Sequence, residues 1–597
     1  MKTMRLWPGV TAAAILLGFK YGAPYVLADG VLVSALGSVA AGAVILLWWL
    51  FFSRVGWRER IGILALMVVA TIGLPFIVHP SIAGGMMGRM PYAMAMQMLP
   101  LALVIGAIVA HRFAPARRTV VIAAAILIQA GSFALIRTDG LFGGVSQLTW
   151  RWSPTAEDRL LAQAQDVTPP AAAKAAEATP PVASPASSTV AETAPPRTEA
   201  PVKTETPAAP APVKMHVKWA GFRGAARDSV VRGMQIRTDW TAAPPVELWR
   251  RSIGPGWSSF AVGGDLLFTQ EQRGGDEIVA AYHVGTGRPA WMHKDPARFY
   301  ESNGGAGPRG TPTLSDGRLY AVGATGILNV LDAATGARVW KRDIVADSGI
   351  KLPGWGITSS PLVHEDVVVV AASGALLAYD RASGDKRWFV KSTGGSYSSP
   401  HLIDVNGSPQ IVLLAGAGAT GVSPKDGSVL WRYPWSGTPM VQPTMLPGGD
   451  ILVTTADMMG GLGIKRLSVT RDAGGWKVEE RWTSNGLKPY FNDYVVHKGH
   501  VYGYDGSILA CVSLEDGTRK WKGGRYGQGQ MLLIADSDLL LVISEEGELA
   551  LVKAAPDQFT EVARVKAIDG KTWNHPALSG NVLLVRNGEQ MAAFRLP

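Results

Sequence analysis

Cysteine is almost absent from this chain of 597 residues, in which Cys511 stands alone. A single cysteine excludes an intramolecular disulfide. A large domain in an oxidising compartment would therefore depend on buried apolar surface for its stability, and about 380 C-terminal residues are enough to supply it.

Acidic residues are scarce in the first 152 positions, which hold 3 Asp and Glu against 12 Lys and Arg. The rest of the chain is nearly balanced, with 44 acidic and 45 basic residues. The net charge of +10 therefore belongs to the N-terminal part, and the large C-terminal part lacks the excess of basic residues that a nucleic-acid-binding domain needs. We predict no nucleic-acid partner.

Charged residues are missing altogether from residues 31–52, VLVSALGSVAAGAVILLWWLFF. A stretch of this length and apolarity is typical of a transmembrane helix. Similar stretches predict an α-helical membrane domain over residues 1–140, with the bilayer as its partner. We expect about five transmembrane helices, at residues 8–28, 31–52, 61–79, 93–111 and 119–137.

The arginines between these segments predict the orientation. The loops at residues 53–60 and 111–118 carry three arginines each, whereas the loop at residues 79–92 carries one. Since cytoplasmic loops are enriched in Lys and Arg, both arginine-rich loops are expected in the cytoplasm. We therefore predict a multi-pass protein of a bacterial inner membrane, with a cytoplasmic N-terminus and a periplasmic C-terminal part.

Residues 153–213 are rich in Ala, Pro, Thr and Glu and poor in large apolar residues. Such a composition buries too little apolar surface to fold, so we predict a disordered linker.

A repeat of 39 to 51 residues fills the chain from residue 214 to residue 597. Each unit has an apolar strand, a second strand, a turn ending in glycine and a strand ending in tryptophan, as in LNVLDAATGARVW (328–340) and LLAYDRASGDKRW (376–388). Four strands in each unit of this length predict an all-β propeller. Seven complete units are present, and the two ends of the region, at residues 574–596 and 245–253, would form an eighth blade together.

The D-x-x-T/S-G motif followed by Trp resembles the repeat of pyrroloquinoline quinone (PQQ) propellers. That family includes quinoprotein alcohol and sugar dehydrogenases and also the non-catalytic assembly factor BamB. Membrane-bound quinoprotein glucose dehydrogenase is similar in a second respect, because it also places about five spans before a periplasmic propeller and passes electrons to ubiquinone.

The resemblance implies two different functions. A dehydrogenase would hold PQQ and Ca²⁺ near the propeller axis, with an Asp as base and an Arg or Lys beside the quinone, and would use ubiquinone as its acceptor. The short repeats and the single cysteine of this chain depart from the dehydrogenases and favour the compact BamB type. We therefore predict a ligand- or protein-binding module of envelope assembly or sensing, with the PQQ- and calcium-dependent dehydrogenase as the alternative.

The loops that enter the first strand of each blade should meet at one end of the central channel, and they carry the candidate site residues. The glycine-rich loop at residues 523–530 is one of these eight, which disfavours a phosphate-binding loop because no helix follows it. As catalytic candidates we name Asp493, as the base, and Arg309. The candidate ligand-binding residues are Glu301, Asn303, Tyr490, Asn492, Arg525, Gln528, Trp573 and Asn574. An alternative interpretation is that these charges pair with one another and that the aromatic rings plug the channel. No metal ligands can be assigned.

Overall fold

The computed structural model describes residues 4–26, 30–142, 145–163, 215–446, 448–454 and 463–597. Four of its helices are long and apolar enough to cross a membrane, namely Val33–Phe52, Trp57–Ile77, Met90–Ala110 and Pro115–Leu135. They correspond to the second to fifth predicted spans. The first predicted span forms the shorter helical segments Trp7–Leu17, Gly18–Gly22 and Ala23–Val26.

The long helices pack on one another through a shared apolar core but expose large apolar side chains on their outer surface. Phe76 is 87% exposed, Ile128 72% and Val120 67%. Exposed side chains of this kind are expected where a helix faces lipid. Two short helices, Pro80–Ala83 and Gly85–Gly88, connect the second and third long helices.

A hairpin follows the last long helix directly. Its strands are Ile136–Phe142 and Val145–Trp150, and the register places Ile136 opposite Trp150. We call it the roof hairpin, because it lies over one end of the propeller. The rings of Trp150 and Trp152 stack at 5.3 Å and are more than half exposed beside the end of the last long helix. Paired tryptophans at this position are typical of a membrane–water interface.

The start of the predicted linker is not extended, which corrects that prediction for its first residues. Ala156–Ala162 forms a helix because Thr155 and Asp158 close a capping box at its N-terminus. Glu157 accepts a hydrogen bond from the backbone N–H of Gly274 at 2.8 Å, and its two oxygens accept from Arg298 at 2.7 and 2.8 Å. This helix therefore joins the membrane helices to the first blade. The rest of the predicted linker, residues 164–213, lies outside the described residues.

Eight blades, each with four antiparallel strands, form the predicted propeller, and one added strand extends the sheets of the first and the seventh blade to five strands. In chain order, the first blade consists of Ala261–Gly263, Leu266–Arg273, Asp276–His283 and Pro289–Asp295, and the second of Thr313–Ser315, Arg318–Val322, Ile327–Asp332 and Arg338–Asp343. The third blade consists of Leu362–His364, Val367–Ala372, Ala375–Asp380 and Lys386–Val390. The fourth consists of His401–Val405, Ser408–Ala415, Gly418–Val422 and Val429–Pro434. The next three consist of Thr444–Met445, Asp450–Thr454, Ile464–Asp472 and Gly475–Ser484; Val495–His497, His500–Asp505, Ile508–Ser513 and Arg519–Arg525; and Gln530–Ile534, Leu539–Ile543, Glu548–Lys553 and Glu561–Lys566.

The eighth blade joins the two ends of the propeller region, as predicted. Ala577–Ser579, Val582–Arg586 and Gln590–Arg595 are its inner strands, and Val246–Ser252 pairs with the last of them as the outermost strand. This closure leaves no broken edge in the ring of blades.

At five of the eight junctions between blades, a blade-ending tryptophan packs on the turn glycine of the next blade. Gly336, at φ 74°, ends a turn of the second blade, and a Cβ there would lie 2.5 Å from the Trp291 ring of the first blade. Trp291 also donates a hydrogen bond to the carbonyl of Ala333 at 3.0 Å. The turn therefore needs glycine both for its backbone conformation and for the space that the ring occupies. The same contact recurs in the pairs Trp249 with Gly287, Trp340 with Gly384, Trp388 with Gly427, and Trp482 with Gly517.

Candidate functional site at the mouth of the propeller

One residue from each entry loop has an equivalent position, two residues before the first strand of its blade, except in the seventh blade, where it is the first residue of that strand. We call these eight residues the axial ring: Ser259, Thr311, Ser360, Ser399, Gln442, Asp493, Gln530 and His575. In much of the ring, the side chain of one residue accepts a hydrogen bond from the backbone N–H of the ring residue one blade earlier. The donor–acceptor pairs are Ser259 to Thr311 at 2.9 Å, Thr311 to Ser360 at 3.0 Å, Ser360 to Ser399 at 2.9 Å, Ser399 to Gln442 at 2.8 Å and Gln442 to Asp493 at 2.7 Å.

Asp493 belongs to this ring and does not line the cavity described below, which corrects its predicted role as a catalytic base. Asp493 is only 6% exposed, and its carboxylate lies 3.6 Å from the guanidinium of Arg223. Burial raises the pKa of Asp493, and Arg223 and the N–H of Gln442 oppose that shift. Asp493 therefore holds neighbouring blades together and lines neither of the two cavities described below.

Asn492, a candidate ligand-binding residue, does not line this cavity either. Asn492 is fully buried, and its side-chain oxygen accepts from the backbone N–H of Tyr490 at 3.0 Å. Asn574 has a comparable structural position, since its amide donates to the carbonyls of Gly256 at 3.2 Å and Ser258 at 2.7 Å. Both amides shape the entry loops and do not line the cavity.

A segment that the sequence analysis left unassigned closes the channel from within. After pairing with the first blade through Val217–Trp219, the chain turns through the axis and adds Val230–Val231 to the seventh blade. Arg223 donates to the carbonyl of Tyr494 at 2.9 Å, and Arg227 donates to the carbonyls of Pro361 and, at 3.0 Å, Pro400. We call residues 220–229 the axial plug.

The axial plug separates two cavities. One, which we call the far cavity, has a volume of about 860 Å³ and opens on the face away from the membrane helices. It is lined by residues of the axial plug and of the first strands of several blades. The other, which we call the mouth cavity, has a volume of about 910 Å³ and lies at the end where the entry loops meet. Phe222 of the plug contributes to the lining of both.

All eight entry loops contribute to the mouth cavity, as the repeat predicts. Of the candidate residues, the structure brings together in its lining Glu301, Asn303, Arg309, Tyr490, Arg525, Gln528 and Trp573. A cavity of this size, enclosed by loops on a rigid scaffold, is typical of a small-molecule site.

Arg309 is engaged within its own loop. It makes an ion pair with Glu301 at 3.1 Å and donates to the carbonyls of Gly305 at 2.8 Å and Gly307 at 2.9 Å. Glu301 in turn accepts from the backbone N–H of Asn303 at 2.7 Å. The pair stabilises a turn at the rim of the cavity, so the alternative interpretation, that the charges pair with one another, applies to Arg309 and Glu301.

Six aromatic rings form a continuous arc around the mouth cavity, which we call the aromatic arc. Successive ring centroids lie 4.8 to 6.4 Å apart, the range of favourable aromatic contacts. In spatial order the arc consists of Trp257, Trp573, Phe491, Tyr490, Trp355 and Tyr397. The rings line the cavity and leave its centre open, so they do not plug it.

Lys571 was missed by the sequence analysis. Its amine lies 4.5 Å from the ring centroid of Trp573 and 5.2 Å from that of Trp257, and it donates to the carbonyl of Asn303 at 3.1 Å. Burial lowers the pKa of Lys571 to about 8. The lysine precedes Trp573 by two residues in an entry loop, and that proximity was the available signal.

The roof hairpin covers part of the mouth. Phe142 lines the cavity. At Gly140, with φ 105°, a Cβ would lie 2.6 Å from the carbonyl oxygen of Asn303 and 2.7 Å from the amine of Lys571. Nearby, Ser302 donates to the carbonyl of Gly84 at 3.3 Å. The mouth therefore faces the membrane helices and contacts their extramembrane loops.

The carboxylates of the mouth cavity do not form a calcium site. Glu301 is bound to Arg309, Glu548 to Arg564, and Glu545 accepts from the indole of Trp573 at 2.9 Å. In the part of the chain that the structure describes, no three His, Cys, Asp or Glu side chains come together as metal ligands. These residues do not fit the calcium-bound PQQ that the dehydrogenase resemblance implied.

Comparison with known proteins agrees with the repeat pattern. The family model of the outer membrane protein assembly factor BamB matches residues 275–522. The propeller thus has PQQ-like, BamB-like repeats. BamB of Burkholderia pseudomallei is 24% identical over 394 residues, which are 60% of this chain and 91% of that protein. BamB of Xanthomonas campestris pv. campestris is 31% identical over 105 residues, so the match covers 17% of this chain and a quarter (25%) of that protein.

Two solved structures are similar to this chain over most of their own length. BamB from Moraxella catarrhalis shares 15% identity and a TM-score of 0.43, with 59% of this chain and 98% of that chain covered. Quinohemoprotein alcohol dehydrogenase from Comamonas testosteroni shares 15% identity and a TM-score of 0.46, with 64% and 81% covered.

Proposed function

We propose that this protein is a membrane-anchored, PQQ-like propeller that binds a small ligand in its mouth cavity and does no chemistry on it. The observation that carries the proposal is a cavity of about 910 Å³ to which all eight blades and the roof hairpin contribute. The aromatic arc supplies apolar contact area, while the polar residues between the rings provide orientation.

The location we propose is the periplasmic side of a bacterial inner membrane. The apolar helices support membrane anchoring, and the arginine-rich loops at residues 53–60 and 111–118 support their placement in the cytoplasm. The roof hairpin and the propeller follow the last long helix and would then lie on the opposite side. The mouth cavity would face the outer surface of the same membrane.

Among the described residues, those named as catalytic for the dehydrogenase alternative do not form its site. Asp493 is buried in the axial ring, Arg309 is paired with Glu301, and the carboxylates do not gather into a calcium site. Titration with PQQ and Ca²⁺, followed by an assay for reduction of an artificial acceptor or ubiquinone with alcohols and aldoses, checks this directly. Tight PQQ binding with turnover would replace the proposed function by the enzymatic one.

A protein-binding role in envelope assembly is the second candidate, and the match with BamB over 394 residues favours it. Because the chain's own roof hairpin covers part of the mouth, a partner protein would contact the far face or the outer strands. Cross-linking of the full chain in whole cells would capture such a partner, and a variant of the mouth cavity would not change the result.

The main proposal is tested by filling the cavity. Thr358 lines the mouth cavity and Ser315 lines the far cavity, and each carries a small hydroxyl side chain. We expect Thr358→Trp to abolish a co-purifying ligand, detected by native mass spectrometry of the full chain and chemical analysis of the extract, while Ser315→Trp retains it. An identical ligand content in both variants, or none in the parent protein, would contradict the proposal.

A further inference from the structure

Among the described residues, two cations of the mouth cavity make no ion pair, whereas Arg309 and Arg564 each bind a carboxylate. Lys488 and Arg525 lie in the sixth and seventh entry loops, and both line the cavity beside the turn at residues 506–507. Arg525 donates to the hydroxyl of Ser507 at 2.7 Å. Over the described ranges, no carboxylate lies within 4.0 Å of either cation.

The acidic groups of the cavity do not neutralise this pair. Glu301 and Glu548 are bound to Arg309 and Arg564, and Glu545 accepts from Trp573 and from the backbone N–H of Gln528. Glu546 also lines the cavity but is exposed to solvent. Lys488 and Arg525 therefore provide a place for an anion at the rim.

Gln528 adds a hydrogen-bond acceptor close to the same place. It lies three residues after Arg525 in the entry loop and lines the cavity. Its side-chain oxygen is buried and has no partner among the residues that the structure describes. A buried acceptor without a donor is unusual, and a hydroxyl of a bound molecule would satisfy it.

The aromatic arc of the same cavity fits an apolar body. It is made only of side chains with large apolar faces, from Trp257 round to Tyr397. The cavity thus combines groups suited to an anion with a hydroxyl group and aromatic faces suited to hydrocarbon. The rim of the mouth cavity contacts the loop at Gly84 and the roof hairpin at Gly140, which both adjoin the membrane helices.

We infer that the ligand is an anionic amphiphile with a phosphoglycerol head, supplied by the surface of the membrane. The phosphate lies between Lys488 and Arg525, a glycerol hydroxyl donates to Gln528, and the acyl part packs on the aromatic arc. The inference rests on the proposed function, because it names the ligand class of the same cavity. A soluble glycerol phosphate has the same phosphate and hydroxyl groups but lacks the acyl chains that would pack on the aromatic arc.

The test is calorimetric titration of the full chain in a maltoside detergent with three probes. They are dihexanoylphosphatidylglycerol, dihexanoylphosphatidylcholine and glycerol 3-phosphate. We expect the phosphatidylglycerol to bind at least about tenfold more tightly than either of the others, because the choline lipid lacks the hydroxyl for Gln528 and brings a cation beside Lys488 and Arg525, and because glycerol phosphate lacks the apolar burial. The double variant Lys488→Gln/Arg525→Gln should weaken its binding by about 10- to 100-fold.

A control with the same loss of charge is Lys425→Gln/Arg432→Gln, at exposed positions of the fourth blade. It should bind like the parent protein. Equal binding of the two lipids, or no effect of Lys488→Gln/Arg525→Gln, would overturn the anionic head. Glycerol phosphate binding as tightly as the lipid would overturn the membrane source. If no probe binds while the Thr358→Trp comparison still reveals a ligand, the inference fails and the proposed function stands; if that comparison also reveals none, both fail.

Discussion

The carboxylate of Asp493 lies 3.6 Å from the guanidinium of Arg223, with both side chains almost completely buried at the propeller axis. Arg223 comes from the axial plug, and Asp493 from the sixth entry loop. The pair therefore fixes the segment that enters the channel to the ring of blades around it. An acid that looks catalytic from its place in a polar loop is a structural residue here.

Loss of this acid should destabilise the propeller. Asp493→Ala leaves the Arg223 guanidinium buried without a counter-charge and removes the acceptor for the N–H of Gln442, so we expect a loss of about 3 kcal/mol in the free energy of unfolding. Urea denaturation of the full chain in detergent measures it. Asp426→Ala, in an exposed turn of the fourth blade, is the control and should cost less than about 1 kcal/mol. Equal stability of Asp493→Ala and the parent protein would refute the structural role.

Lys571 should make the stability depend on alkaline pH. Its folded-state pKa of about 8 lies below the ordinary value of 10.5, so the protonated amine opposes folding. This penalty is fully present below about pH 8 and disappears as the pH rises towards 10.5, because only the unfolded chain then holds the proton. Relative to Lys571→Met, the parent protein should gain roughly 1 kcal/mol for each pH unit between 8 and 10. Parallel stability curves for the two proteins would show that the amine is not buried as described.

The repeat made the fold predictable from the sequence, because each blade repeats the same local requirements. The turn glycine and the blade-ending tryptophan mark the contact between neighbouring blades, as Gly336 and Trp291 show. The closure by Val246–Ser252 also followed from the count of strands. The axial plug carried no such signal, since its contacts through Arg223 and Arg227 are made with carbonyls more than 100 residues away.

The site was predictable as a location but not residue by residue. Position within the repeat brought seven candidate residues to one cavity, yet periodicity does not say which residue of an entry loop faces the axis. Asp493, Asn492 and Asn574 turned out to be buried in the packing between and within entry loops. The roof hairpin could not be foreseen either, because the contact of Gly140 with Asn303 and Lys571 depends on the docking of the membrane helices.

The proposed orientation in the membrane is tested with reporter fusions. Alkaline phosphatase, which is active only after export, should be active when fused after residue 84 or residue 152, and inactive when fused after residue 56 or residue 114. This order follows from the arginine-rich loops at residues 53–60 and 111–118. Activity after residue 56 together with inactivity after residue 152 would place the propeller in the cytoplasm and contradict the account.

The most direct test of the central claim, that the mouth cavity holds a small ligand, uses two matched methionines. Met440 lines the mouth cavity and Met445 lines the far cavity, five residues further along the chain. Each is replaced in turn by the photoreactive residue benzoylphenylalanine, the cells are irradiated, and the mass of the intact purified chain is measured. We predict a discrete added mass of a few hundred daltons at position 440 and none at position 445. An adduct at position 445 alone, or at neither position, would contradict the account.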